Sequence, residues 1–378
     1  MAANIEIRTI GGERKESFVS TEPAWHGLGK IYDTPLTAAE ALKECGANFE
    51  VGLQNLIAAT PQLETLLDGG MSINSDDTQI IEGKQFVSVD MLRKLVVPDY
   101  RATMRLDFNE PLGVVSNQYG IVQNAKAFEF VDLLTTGQLG GDVPTIECAG
   151  VLGHGERVFI TAKFPEPIRI GKKDDIIDQY VVFTTSHDGS GAVTCMICNT
   201  RVVCQNTLNF ALEHNSGKLS LRHTSRVNDR LDLTNKENAD MAYRVLHLHN
   251  TYKAYFEESL ERLSKIKVTD KEAEKIMAQA LFSPDTWKIY SSNGYSLNTD
   301  DISTRSKNMI NSVTNAMHLG IGQDMLEKGT GLWVVNGLTT FYQNNTEWKN
   351  NERKFNAIVD GSVQQKLQKT VDLLLKSA

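Results

Sequence analysis

The residues that most clearly offer chemistry stand in a polar turn, SHDGSG at 186–191, between two β-type runs at 180–185 and 192–198. His187 and Asp188 pair an imidazole with a carboxylate, which can bind a metal or move protons when a turn points both into one pocket. Asp and Gly are also common turn formers, because Asp caps its own backbone and Gly adopts positive φ. Three interpretations follow: catalysis, contact with a ligand or nucleic acid, and turn structure.

Basic side chains gather in the segment after this hairpin. Between Arg201 and Arg230 five basic residues stand against two acidic ones, although the whole chain carries a net charge of −8. Phosphate binding needs clustered Arg and Lys, so a local basic rim remains compatible with an acidic protein. The expected rim comprises Arg201, Arg222, His223 and Arg226, extended by Lys163, Arg169, Lys172 and Lys173. The alternative is ordinary solvated surface charge.

An aromatic pair near the start of the sequence offers a second kind of contact. Trp25 and His26 lie in a turn rich in Pro and Gly, and rings in such turns can stack on unpaired bases. A Trp at such a turn also commonly closes the edge of a core. Base stacking and core packing are both kept as interpretations of this pair.

Motifs of well-defined chemistry are missing from the sequence. It contains no GxxxxGKS/T loop, no GxSxG elbow, no HExxH pair and no GxGxxG after a strand, so ATP-driven recombinase or helicase action is disfavoured. Cys195 and Cys198 have the spacing of metal ligands, but residues three apart in a strand point to opposite faces. We therefore expect small buried side chains there, and neither a metal nor a cofactor.

The remaining pattern predicts the elements that position these residues. β-type runs at 111–116, 146–151, 157–164, 180–185, 192–198 and 219–223, with a helix at 125–134, are joined by connections too short for helical crossovers. A short helix is expected near Asn206, and Thr37 with Glu40 forms a capping box before another. After Asn228 the apolar spacing predicts one long amphipathic helix to about Lys267, then helices at 271–282, 300–319, 333–342 and 363–375.

These elements predict an α+β protein with an antiparallel sheet core, packed helices and a mostly helical C-terminal part. Three regions are expected: residues 1–110 with an extended leader and a short helix, 111–227 as the core, and 228–378 as the helical part. At 41% hydrophobic the chain can fold, and it has neither a membrane-spanning run nor a signal-peptide pattern, so we expect a cytoplasmic protein. Five cysteines, an odd and small number, argue for reduced thiols.

Several separated segments together carry a family resemblance. They are AWHGLG at 24–29, LGVVS at 112–116 with Tyr119 and VQN at 122–124, AGVL at 149–152 with Gly155, RVF at 157–159, SHDGS at 186–190, RVVCQNTL at 201–208, RHT at 222–224 and GLWVVNGLTTF at 331–341. The chain resembles the phage/plasmid-like protein family, a domain-of-unknown-function family of bacteriophages and mobile elements. The resemblance implies a role in phage or plasmid DNA metabolism.

Three classes of function are compatible with these observations. The leading hypothesis is an ATP-independent protein that binds single-stranded DNA and anneals strands as a homo-oligomer, since the predicted sheet and long helix are similar in outline to phage annealing proteins. The second is a metal-dependent hydrolase or nuclease that uses His187, Asp188 and His223. The third is an interaction protein, either a host-defence antagonist or a virion-associated component.

Overall fold

The protein has an α+β fold with antiparallel and mixed sheets, which confirms the class expected from the sequence. The structure is a computed structural model, and it describes residues 7–10, 13–16, 18–21, 30–60, 72–73, 86–87, 89–136, 143–170, 175–201, 206–207, 218–231, 236–349, 353–354, 357–358 and 361–377. The main hydrophobic core includes described residues from Val19 to Leu374, and a smaller cluster lies on the other face of the main sheet. The boundaries of the three expected regions remain a prediction.

Sixteen strands lie within the described residues. They are β1 (Ile7–Ile10), β2 (Glu13–Glu16), β3 (Phe18–Ser20), β4 (Lys30–Ile31), β5 (Val51–Ile57), β6 (Ser72–Ile73), β7 (Phe86–Val87), β8 (Val96–Arg105), β9 (Glu110–Ser116), β10 (Thr145–Leu152), β11 (Arg157–Lys163), β12 (Ile168–Ile170), β13 (Asp175–Ser186), β14 (Val193–Arg201), β15 (Asn206–Thr207) and β16 (Lys218–Leu221). The main sheet has the order β15-β14-β13-β11-β10-β3-β4, with β12 paired to β13 and β16 paired to β14. Its pairs are antiparallel except β3 with β4.

Ten α-helices accompany these strands in the described part of the chain. They are α1 (Ala38–Glu44), α2 (Val89–Lys94), α3 (Asn124–Thr135), α4 (Val227–Arg230), α5 (Lys236–Lys265), α6 (Asp270–Leu281), α7 (Pro284–Ser292), α8 (Thr304–Leu319), α9 (Gly331–Thr340) and α10 (Ser362–Lys376). A 3-10 turn, Gln323–Met325, precedes α9, and a π-helical segment, Phe341–Asn345, follows it. The long helix α5 agrees with the periodicity found in the sequence.

Strand β13 lies inside the main sheet, and residues 181–186 of this strand are buried on both faces. Phe183 faces the helical core, where its ring centroid lies 5.6 Å from that of Phe130 in α3. Val182 points the other way and packs with Met196 and Cys198. A strand buried on both sides reads as a nearly continuous apolar run, and each large side chain buried in this way contributes roughly 1.5–3 kcal/mol.

A network of buried polar side chains connects α5 to the main sheet. Gln179 Nε2 donates to Asn199 Oδ1 at 2.8 Å, and Asn199 Nδ2 donates to the hydroxyl of Tyr252 at 3.3 Å. The ring of His249 stacks on Phe164 with centroids 3.5 Å apart, and its Nε2 lies 3.2 Å from Gln179 Oε1. Because buried polar groups need partners, this network fixes the register between helix and sheet.

A second sheet, formed by β5, β8 and β9, stands beside the first. The hairpin tip between β8 and β9 is held by Arg105, whose guanidinium lies 4.0 Å from the ring centroid of Phe49 and 5.0 Å from that of Phe108. Arg105 also pairs with Asp107 at 2.8 Å and donates to the carbonyl of His154 at 3.1 Å. The second sheet is thereby fastened to the β10–β11 turn.

Local sequence signals explain where several helices begin. The capping box expected at Thr37 is present, with the hydroxyl accepting from the amide of Glu40 and the carboxylate accepting from the amide of Thr37. Gly46 follows α1 with φ +70°, the left-handed conformation that favours glycine. The helix expected near Asn206 is wrong at residues 206 and 207, which instead pair with β14 as strand β15, because the edge of β14 offers backbone hydrogen bonds there.

Candidate nucleic-acid interface

The turn at residues 187–190 closes on the carboxylate of Asp188. Its Oδ1 accepts from the hydroxyl of Ser186, from the amide of Ser190 at 2.9 Å and from the hydroxyl of Ser190 at 2.7 Å. Burial alone would raise the pKa of Asp188, but these hydrogen bonds and the charge of Arg157 outweigh burial, so the pKa lies below its ordinary value. Asp188 is therefore an ionised turn-forming side chain.

His187 lies wholly inside the protein at the end of β13. Its Nε2 is 2.8 Å from Asn124 Oδ1, and the amide of Asn124 is oriented by donation from Nδ2 to the carbonyl of Ala47 at 2.8 Å. Since the amide oxygen can only accept, Nε2 carries the proton and Nδ1 carries a lone pair. That Nδ1 is buried and has no hydrogen-bond partner among the residues that the structure describes.

The environment keeps His187 neutral. Burial, and next the neighbouring His223, lower the pKa of His187 to about 3, whereas Asp188 acts in the opposite direction. A general acid or base works best with a pKa near the operating pH and within reach of substrate. A side chain that is 0% exposed meets neither condition. The hydrolase hypothesis gains no support from this geometry.

His223 is also built into the structure. Its ring stacks on Tyr119 with centroids 4.7 Å apart, and its Nδ1 lies 3.0 Å from the carbonyl oxygen of Gly120. The Tyr119 hydroxyl donates to the carbonyl of Ser186 at 2.7 Å. Burial is the main reason why the pKa of His223 lies below its ordinary value, and burial likewise raises the pKa of Tyr119. His223 is half-buried and anchors the segment that carries it.

That segment, residues 222–226, is here called the arginine loop. A β-bridge joins Thr224 to Tyr119, and the amide of Gly120 donates to the carbonyl of His223 at 3.3 Å. A Cβ on Gly120 would overlap the carbonyl oxygen of Thr224, so only glycine permits this close backbone contact. Arg222 and Arg226 project from the loop and are exposed.

The charges on the arginine loop are available. Neither the Arg222 nor the Arg226 guanidinium forms an ion pair with any residue in the ranges that the structure describes. The loop continues into α4, where the Nδ2 of Asn228 donates to the carbonyl of Ile121 at 2.9 Å. The backbone that carries the two guanidiniums is therefore fixed at both ends. A fixed backbone favours phosphate binding, because less freedom is lost when the guanidiniums bind.

The other residues of the expected rim have different positions. Lys163 forms an ion pair with Asp178 at 2.6 Å, so its charge is largely compensated. Arg169 is exposed on β12, and Arg201 ends β14 opposite Ile177, where only its backbone is described. Lys172, Lys173, Trp25 and His26 lie outside the described residues. The structure thus brings together Arg222, His223 and Arg226, with His223 serving as the anchor.

The cysteines occupy the positions that the strand pattern indicates. Cys195 faces the main core and Cys198 faces the opposite side of the sheet. Burial raises the pKa of the Cys195 thiol to about 12, and it raises the pKa of Cys45 to a similar value. Within the described ranges, no group of three or more His, Cys, Asp or Glu side chains is arranged to hold a metal ion.

Sequence reasoning missed several members of this site. Tyr119 and Gly120 come from the connection between β9 and α3, and Asn124 is the first residue of α3; all three are far along the chain from His187 and His223. Tyr119 and the segment VQN at 122–124 were present in the family resemblance. That match was the available signal, but it did not indicate what these residues contact.

The fold and this site define an α+β protein that displays an anchored arginine loop at the end of its main sheet. Comparison with protein families places residues 111–361 in the family described as Domain of unknown function (DUF932). That match covers more than half of the 378 residues, and the chain belongs to this family. Comparison with curated proteins and with solved structures finds no match. None of the described helices combines the length and apolar character needed to cross a membrane.

Proposed function

We propose that this protein binds single-stranded DNA without ATP, using the arginine loop to hold phosphates. The observation that carries the proposal is that Arg222 and Arg226 are both exposed, and form no ion pair within the described ranges, on a loop fixed by His223 and Gly120. Although the protein has a net charge of −8, two exposed guanidiniums on an anchored loop attract a polyanion to that part of the surface. The phage or plasmid origin indicated by the sequence resemblance is part of this proposal.

Strand annealing by a homo-oligomer is the second part of the proposal. Helix α5 contains 30 residues and therefore extends about 45 Å at 1.5 Å per residue. Its Tyr255 is 49% exposed, which leaves an aromatic side chain for contact with a neighbouring subunit. Repetition of the arginine loop along an oligomer would follow a strand over many phosphates, and the cytoplasm of a host cell is the proposed location.

The test is a salt series with single-stranded oligonucleotide. The double substitution Arg222→Ala and Arg226→Ala removes two phosphate contacts, and each contact contributes roughly 0.7 to the slope of log K against log salt for single strands. The slope is expected to become less steep by about 1.4. The matched control is Arg305→Ala with Lys328→Ala, which removes the same charge from exposed positions in the helical part.

The control separates local recognition from net charge. The arginine-loop variant should lose affinity at low salt by roughly tenfold or more, whereas the control should remain near the wild-type value. Equal losses in both variants would mean that overall charge, and not the arginine loop, governs binding. Absence of wild-type binding to any oligonucleotide at low salt would refute the proposed function.

A further inference from the structure

One face of the hairpin formed by β8 and β9 carries an exposed aromatic side chain. The register pairs Tyr100 with Ser116 and Ala102 with Val114, so these four residues share one face. Tyr100 is 51% exposed and Val114 is 55% exposed. The opposite face of the same strands is buried, as Thr103 and Val115 show. An exposed aromatic ring and an exposed branched apolar side chain therefore lie diagonally across the strand pair, and the buried Ala102 lies on the same face.

The Tyr100 side chain is free to meet a ligand. Its hydroxyl forms no hydrogen bond within the described ranges, and neighbouring Arg101 turns back onto the carbonyl oxygens of Pro98 and Tyr100. The ring is diagonal to Val114 across the strand pair, a separation of about 7–8 Å between Cα atoms. Exposed rings on an open sheet face are the platforms on which single-strand-binding proteins stack bases.

This face lies next to the arginine loop because of one short turn. Ser116, opposite Tyr100, accepts a hydrogen bond from the amide of Tyr119 at 3.0 Å, and Tyr119 bridges to Thr224 in the loop. The path from Tyr100 to Thr224 consists of two cross-strand steps of about 5 Å and three residues of at most about 3.5 Å each. The Cα atoms of Tyr100 and Thr224 are therefore at most roughly 20 Å apart. A few nucleotides of single strand can span that distance.

We propose that Tyr100, with Val114 beside it, stacks bases of the same DNA strand whose phosphates Arg222 and Arg226 hold. This inference rests on the proposed function and adds the surface that contacts the bases, which gives a physical reason for preferring unpaired bases to a duplex. The charge complementarity of the adjacent loop selects a polyanion, and the exposed ring selects a polyanion with accessible flat bases. Duplex DNA offers phosphates but keeps its bases stacked on each other.

Two probes separate stacking from phosphate binding. Oligothymidylate presents bases and phosphates, whereas an abasic oligonucleotide of the same length presents the phosphates alone. Tyr100→Ala should weaken binding of oligothymidylate roughly tenfold, while binding of the abasic strand stays within about twofold of wild type. Tyr100→Phe should bind both probes like wild type, because it keeps the ring. The control is Ile321→Ala, which removes a comparably exposed apolar side chain, 55% exposed, from the helical part.

The possible outcomes separate base stacking by Tyr100 from phosphate binding by the arginine loop. Equal weakening of both probes by Tyr100→Ala, or no weakening of either, overturns base stacking and leaves phosphate binding by the arginine loop standing. Loss of both probes in the Arg222→Ala and Arg226→Ala variant supports that phosphate role independently. Wild-type protein that binds neither probe overturns the proposed function and this inference together. Circular dichroism melting of each variant identifies any loss that comes from unfolding.

Discussion

Acid should destabilise the protein through His187, because its imidazole is neutral and buried in the folded state. The folded pKa of about 3 lies below the ordinary value of 6.5. Between these two values the unfolded chain binds a proton that the folded protein does not, so the free energy of unfolding decreases as pH falls. The contribution of His187 is fully present above pH 6.5 and is lost progressively below it.

The size of the effect follows from that pKa difference. One pKa unit corresponds to about 1.4 kcal/mol, so the loss from His187 amounts to about 2 kcal/mol between pH 7 and pH 5, and to about 3 kcal/mol by pH 4. His223, whose pKa is also lowered by burial, contributes in the same direction. The assay is urea unfolding followed by circular dichroism at each pH, for wild type and for His187→Gln.

Glutamine is the informative replacement because its amide can donate to Asn124 Oδ1 as the imidazole does, but it does not titrate. The loss of stability between pH 7 and pH 5 should be smaller in His187→Gln than in wild type by about 2 kcal/mol. His154→Gln, at an exposed position, should follow wild type. Parallel pH profiles of wild type and His187→Gln would show that this imidazole is not the neutral buried group described above.

Two further substitutions test how the site is assembled. Asn124→Ala removes the partner of a buried imidazole N–H and of a backbone carbonyl, so the free energy of unfolding in urea should decrease by about 3 kcal/mol or more. The control Asn308→Ala, at an exposed position, should change it by less than about 0.5 kcal/mol. Similar values for both variants would contradict the hydrogen-bond assignment. Gly120→Ala forces its new Cβ against the carbonyl of Thr224 and should cost about 1–3 kcal/mol and weaken oligonucleotide binding, whereas Ser225→Ala in the same loop should do neither. A fully stable Gly120→Ala would show that the loop does not approach so closely.

Much of the fold was predictable because its signals are local. The period of the apolar residues located α5, and the Thr37 capping box located the start of α1. Strands β5 and β8 were not predicted, since β8 contains Pro98 and several charged residues and neither strand shows clean alternation. Their pairing depends on contacts with the rest of the protein, which a local pattern does not encode.

The site was predictable only in part for the same reason. The segment around Asp188 was correctly described as a turn, and the exposed Arg222 and Arg226 belong to the basic segment noted in the sequence. The burial of His187 could not be foreseen, because its partner Asn124 is 63 residues away and meets it only after α3 packs on the sheet. The ion pair between Lys163 and Asp178 was likewise not predictable from the sequence.

The burial of Cys45 and Cys195 allows these two thiols to report local unfolding of the protein. Cys45 and Cys195 are sealed in the core, and burial keeps both thiols protonated. An alkylating reagent reacts with the thiolate, so it can modify these two sites only in molecules that have transiently unfolded around them. The rates of labelling, measured by mass spectrometry, would then report local unfolding in two places: near α1 through Cys45, and within the main sheet through Cys195. No probe has to be introduced.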